Sequence, residues 1–489
     1  METLPWICSL IGSLALAGCT GLGNEWVPPE GADEVSDGPA PAGDPGVEIR
    51  GGTPSGPPAA VAPGTVEWAH GFASWGDDVG YGVAIGADGA AVLTGTFWPE
   101  VDFGGGIRRS SGGYAVAHAS YGRDGAHLAS TLYDGPGNHF GYAIATAPNG
   151  AQLITGAYSG HLALPSGTLD TVGETDAFVA LIDDAGGGWG VTFGGSVARG
   201  TGIARGADGT VYVTGTFSGT ATIGATSLRS AGGTDMFVAA FDAGGAPLWA
   251  LKYGSAGNDE ATSIAVYDNA AAGTGYVAVT GQMAAQLGFG SPGGGPNGYV
   301  AMVRRDGGRM WTRNFAAGGS SRAAAVSFDA GGRALVAGWL EGTENLGGGA
   351  VTADSADAFV VSYDSDGAVV WMRALGGAGD DGINALRVNA AGDIAVTGWF
   401  EGEVDLGSDG PVLLDSFGQR DIFVAKLAAD GATRWARGFG GGSNDSGVGI
   451  AMRADGSMVA TGYYEGNAMF DELQMPSGLN RDIFLVSLR

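Results

Sequence analysis

Asp235-Met236-Phe237-Val238-Ala239-Ala240-Phe241 runs into the turn Asp242-Ala243-Gly244-Gly245 and then Leu248-Trp249. A Gly/Asp-rich loop follows, then the small apolar run Ser263-Ile264-Ala265-Val266, and the stretch closes with Tyr276-Val277-Ala278-Val279-Thr280-Gly281. This order of features occurs seven times. The small-Gly strand end recurs at Thr94-Gly95, Thr155-Gly156, Thr214-Gly215, Thr280-Gly281, Ala337-Gly338, Thr397-Gly398 and Thr461-Gly462. A Trp slot recurs at Trp68, Trp189, Trp249, Trp311, Trp371 and Trp435, with Leu128 in second place, and successive slots lie 60–64 residues apart. An Asp-x-Phe element recurs at Asp176, Asp235, Asp357, Asp421 and Asp482, with looser versions at Asn297-Gly298-Tyr299 and Tyr114-Ala115-Val116. Three independent markers on one period define a repeat protein.

Each unit reads as four strands. In the third copy they are Gly202-Ile203-Ala204-Arg205, Val211 to Gly215, Asp235 to Phe241, and the strand around Trp249, with a longer connection between the second and third. Asp-Gly turns between β-branched runs are hairpin signals. Four-stranded units in series imply an all-β, seven-bladed β-propeller. The small-residue strand then lies nearest the axis and the Trp strand outermost, where the indoles fill space between blades rather than touch a ligand. The chain starts with a lone Trp strand at Trp68 and ends with a lone third strand from Asp482. Pairing of these two would close the ring and remove exposed sheet edges.

The 95 glycines and 15% charged residues fit many short strands joined by tight turns. A formal net charge of -28 disfavours nucleic acid and anionic membrane surfaces as partners. Both cysteines, Cys8 and Cys19, precede the repeats, so no cysteine-based metal site or disulfide is expected within them. Leu4 to Ala17 form a short apolar run followed by small residues, a signal-peptide layout. Leu16-Ala17-Gly18-Cys19 resembles the lipobox of bacterial lipoproteins, which implies cleavage after residue 18 and lipidation of Cys19. Residues 19–64 are rich in Pro, Gly and acidic residues without periodicity, the composition of a disordered tether. The propeller is expected over residues 65–489.

The pattern Asp-x-Phe-Val-Ala-x-Leu, Asp-Gly, Trp, Phe-Gly-Gly, small strand, Val-Tyr-Val-Thr-Gly-x-Phe resembles the bacterial SBBP-type β-propeller repeat. Asp421-Ile422-Phe423-Val424-Ala425-Lys426-Leu427 and Trp435 to Gly441 match it best. The resemblance covers about Glu67 to Arg489 and implies a seven-bladed propeller in an exported envelope protein, with no shared catalytic residues to transfer.

Chemistry-bearing residues gather in the loops ahead of the small strands: Asp77 and Asp78, Asp259 and Glu260, Asp380 and Asp381, and Asp445. Hard oxygen ligands in Gly-rich turns could hold Ca²⁺, although the spacing matches neither an EF-hand nor the nonapeptide repeat. The alternative is that they form Asx turns to their own backbone. The Asp of each Asp-x-Phe is expected to tie down loop backbone. The five histidines lack metal-ligand spacing, and no nucleophile elbow or P-loop occurs. No cofactor is required, Ca²⁺ being the one candidate, and no catalytic residue is assigned. The composite expectation is a monomeric, lipid-anchored envelope protein, placed by its anchor at the outer membrane, facing the periplasm or the outside, whose propeller binds an envelope or extracellular protein or glycan. The alternative is a propeller enzyme (hydrolase, lyase or quinoprotein-like oxidoreductase) with an axial active site.

Overall fold

Apolar residues occupy consecutive positions in the third strand of each unit, and the packing shows why. In the computed structural model, Met236, Val238 and Ala240 pack with Val277 and Val279 of the following unit. Phe237, Ala239 and Phe241, on the opposite face, pack with Leu153 and Val179 of the preceding one. All six are buried. A strand buried on both faces loses the alternation of a half-exposed one.

The structure describes residues 62–489 except 184, 270–273, 285–295, 316, 408–409 and 479. The signal segment, Cys19 and the tether as far as residue 61 lie outside the described residues. No helix occurs among the described residues; the strands pair antiparallel, with one isolated parallel bridge between Thr175 and Val197. The third unit is typical: Val197–Arg205, Val211–Ile223, Thr226–Phe241 and Pro247–Tyr253 pair in that order. The same arrangement begins at Val79–Ile85, His139–Thr146, Glu260–Asn269, Ser320–Phe328 and Asp381–Val388. A further sheet draws on both ends of the chain, in the order Ser446–Met452, Met458–Glu465, Arg481–Leu488, Val66–Phe72. The first strands of successive sheets touch, and Ser446–Met452 touches Val79–Ile85. Sheets stacked face to face around crowded first strands make a β-propeller.

Every first strand carries a β-bulge at the same place, on Tyr81, Tyr142, Thr201, Thr262, Ala324, Asn384 and Val448. A bulge bends its strand and re-aims one side chain. Several of these side chains then bond to the next sheet: Thr201 Oγ1 donates to the Ala261 carbonyl at 2.8 Å, Thr262 Oγ1 to Ala323 at 2.6 Å, and Asn384 Nδ2 to Gly447 at 2.8 Å.

At the outer edge the recurrent indoles reach forward. Trp68, Trp189, Trp249, Trp311 and Trp371 donate Nε1–H to carbonyls in the third-to-fourth-strand turn of the next unit, at 2.9–3.1 Å. The turn glycine lies on the ring: Gly245 has φ 86°, and a Cβ there would lie 2.6 Å from Trp189. Leu128, which lacks the polar handle, is 56% exposed.

The longer connection between second and third strands is itself a β-hairpin. In the third unit Thr220↔Arg229 and Ile223↔Thr226 extend the sheet through Gly224. These hairpins clasp the previous sheet: Thr222 N donates to Gly194 O at 3.2 Å, Asp134 bridges Ala163, and Gly376–Gly377 pair with Val404–Asp405. Apolar side chains such as Leu228, Leu346 and Phe470 are buried beneath them.

Arg481–Leu488 lies between Val66–Phe72 and Met458–Glu465, pairing with both. Its removal strips partners from two strands at once. Deletion of residues 481–489 is expected to give an aggregating product without a cooperative melt, as read by size-exclusion chromatography and thermal denaturation.

Candidate functional site

Two sets of aspartates separated in sequence meet in space. One belongs to Asp-x-Phe at the start of a third strand; the other belongs to the loop ahead of the next first strand. They form the pairs Asp235/Asp259, Asp357/Asp381, Asp421/Asp445 and Asp482/Asp78, each coupled electrostatically or by a hydrogen bond. Their oxygens take backbone donors. Gly441 N–H is shared by Asp421, at 3.0 Å, and Asp445, at 2.7 Å. Asp445 also accepts from Glu465 N at 2.8 Å, and Phe417 N donates to Asp421. Asp259 accepts from Ser255 N at 2.5 Å and Ala284 N at 2.9 Å, while Asp235 accepts from Ala231 N at 3.0 Å and pairs with Lys252 at 2.6 Å. Asp482 accepts from Ser74 N at 2.9 Å and Gly478 N at 2.6 Å, and Asp78 from Trp98 N at 2.9 Å. Asp176 holds Val172 N at 2.6 Å. In the looser units, His139 bonds the carbonyls of Tyr114 at 3.0 Å and His161 at 2.8 Å, and Ser321 Oγ accepts from Gly298 N at 2.8 Å.

Of the remaining Ca²⁺ candidates, Glu260 pairs with Arg322 at 2.9 Å and Asp380 with Arg420 at 3.3 Å, while Asp77 lies close enough to Tyr114 to act on it electrostatically. Among the described residues no three His, Cys, Asp or Glu side chains come together as a metal-holding group.

Oxygens without a donor remain: Oδ2 of Asp78, Oδ1 of Asp235, and Oδ1 of both Asp357 and Asp381. Burial is the main force on Asp78, Asp357 and Asp381. It raises Asp381 to about 8, with backbone donors opposing and the Asp357 charge adding to the rise. Burial likewise raises Asp445 to about 7, Asp482 to about 7 and Asp357 to about 6. A proton on one carboxyl of a pair removes the repulsion and supplies the missing donor.

The same face carries a second group of residues, which sequence patterning did not single out. In four other units half-buried charged side chains stand here, paired or packed on rings: Arg322 with Glu260, Arg420 over Trp399 at 4.3 Å, and Arg481 with Glu465 at 3.2 Å and over Tyr463 at 4.6 Å. Between the first two sheets the lining is aromatic instead. Ring centroids step from Trp98 to Tyr114 (6.5 Å), Phe140 (5.5 Å), Tyr142 (5.8 Å) and Tyr81 (5.0 Å). The sequence signal was available as the one pair of aromatic residues at the bulge position.

No family model matches the chain, and no curated protein matches it. Solved structures similar to it include the WD40 domain of Neurospora crassa Pan2, at 8% identity over 84% of this chain and 89% of that one, with a TM-score of 0.40. Others are an inactive virginiamycin B lyase variant from Staphylococcus aureus (9%, 86% and 99%, TM-score 0.43) and the β-propeller domain of the trilobed protease from Pyrococcus furiosus (8%, 85% and 95%, TM-score 0.42).

The carboxylate pairs fix the sign of the pH dependence. Unfolded aspartates titrate at about 4, so between that value and about 8 Asp381, Asp445 and Asp482 hold more protons in the folded chain than in the unfolded one. Stability is therefore highest at the acid end of this window and falls as pH rises through it. The unfolding free energy is expected to drop from pH 5 to pH 8, the melting temperature with it, and Asp381→Asn, which supplies a permanent donor, to reduce the drop in free energy by about 1–2 kcal/mol. Melts of both proteins across that range test this; a flat wild-type profile would remove the shared-proton reading.

Proposed function

We propose that this chain is a lipid-anchored bacterial envelope protein whose propeller is a platform for binding an envelope or extracellular protein or glycan. In this reading the propeller is a seven-bladed ring of the SBBP type, closed by the pairing of its first and last strands. Cys19 carries the lipid, and the tether holds the ring clear of the membrane, the outer membrane being the expected site. The observation that carries the binding role is the contrast between a frame cross-linked at every level and one face that leaves Trp75 67% and Trp98 42% exposed. Indole surface left in solvent on a rigid support is the kind that partners bury. Charge supports the choice of partner class, because -28 repels polyanions such as nucleic acid.

Two measurements test the reading. Cys19→Ser is expected to move the protein from the membrane fraction to the soluble fraction of the envelope. Immobilised protein is expected to capture a saturable partner from envelope extract, and loss of capture in EDTA would assign a Ca²⁺ role to the loop aspartates. Turnover of hydrolase, lyase or oxidase substrates without any captured partner would replace the platform with an axial enzyme.

A further inference from the structure

We propose that the aromatic row between the first two sheets is a groove for an uncharged polysaccharide; this rests on the platform reading and names its ligand class. Repetition separates frame from site. At the bulge position the other units carry Thr201, Thr262, Ala324, Asn384 and Val448, and the first two carry Tyr81 and Tyr142. Two residues earlier, Arg199, Glu260, Arg322, Gly382 and Ser446 stand where the second unit has Phe140. Packing shared by all units accounts for the small residues and not for this departure.

The row has the dimensions and surface of a sugar track. Trp98 is exposed and the other four rings are half-buried, with burial raising the hydroxyls of Tyr142, to about 12, and of Tyr81 at the inner end. The ring steps of 5.0–6.5 Å are close to the length of one pyranose residue in a chain. Phe140 and Tyr142 lie 4° from parallel and Tyr114 within 33° of Phe140, so three consecutive rings are similarly inclined. The C–H face of a pyranose packs on such rings, while its hydroxyls reach polar atoms at the edges, where Asp77 stands near Tyr114. The track is preorganised: Trp98 is held by Asp78 through its N–H and by Ser74 Oγ through its carbonyl at 3.3 Å.

Charge selects within the class. On one side Arg481 is paired with Glu465, on the other Arg199 acts on Tyr142, and the protein's net charge disfavours a polyanion. A ligand without charge is the complement of an aromatic surface flanked by charges of both signs. A folded protein partner needs roughly 800 Å² on each side, and a row one ring wide fits a single extended chain better.

The test titrates the full chain with cellohexaose, chitohexaose and maltohexaose, followed by tryptophan fluorescence and calorimetry. At least one hexaose is expected to bind saturably. Trp98→Ala should weaken it tenfold or more without changing the melting temperature, Trp98→Phe should restore part of the loss, and Phe417→Ala, on a different unit, should leave it intact. Absence of binding by all three sugars, or binding indifferent to Trp98→Ala, overturns the groove. A peptide that saturates the Trp98 signal in place of sugars overturns it as well. Envelope capture that survives Trp98→Ala would then leave the platform standing without the groove, whereas failure of capture and sugar binding together removes both.

Discussion

Crowding at the first strands is the constraint on which the rest of this structure depends. Strands brought together around an axis have room for Gly, Ala and an occasional hydroxyl, and the bulge on each one relieves the remaining conflict by turning a side chain towards the next sheet. The Thr201, Thr262 and Asn384 bonds show the result: one sheet's bulge satisfies a carbonyl of the next. Once the sheets are gathered there, both faces of every middle strand meet a neighbour. The apolar load of Met236–Phe241 follows from that, and so does the widening outer gap, filled by indoles and clasped by hairpins.

The buried aspartates answer a different demand. Loops joining one sheet to the next cross the face with unpaired N–H groups, and a buried N–H without an acceptor is costly. A carboxylate can serve several at once, as Asp421 and Asp445 do around Gly441. Placing two carboxylates at one junction creates repulsion in a poorly solvated setting, which a shared proton relieves. The junctions thus combine strong backbone anchoring with sensitivity to alkaline pH, while the looser units, using His139 or Ser321, avoid the repulsion.

Much of the β architecture was legible in the sequence because its causes are local. Asp-Gly turns, β-branched runs and the Trp slot each announce a strand or its end within a few residues. The clasping hairpins were not legible, since Thr220–Leu228 alternates only weakly and its partner is the outer strand of another sheet. The meeting of Asp235 with Asp259, or Asp482 with Asp78, was also hidden. Each member made sense alone, one as a loop tie and the other as a metal candidate, and only the topology joins them. The aromatic row was masked by the repeat itself: Tyr81 and Tyr142 read as variants of a small-residue strand until the bulge showed where they point.

The chain enters and leaves the fold at one spot. Gly64 N–H donates to the Arg489 carbonyl at 2.6 Å, and Arg489 N–H returns a bond to Thr65 at 3.0 Å. Val66–Phe72 is the outermost strand of its sheet, held edgewise by Arg481–Leu488. Tension arriving along the preceding segment therefore loads the ladder to Arg481–Leu488 first at its Val66–Leu488 end. The first event under load would be the release of this single strand, with the six sheets built from contiguous sequence left intact. Mechanically, the molecule has a built-in weak seam at the point where it is tied to whatever lies upstream.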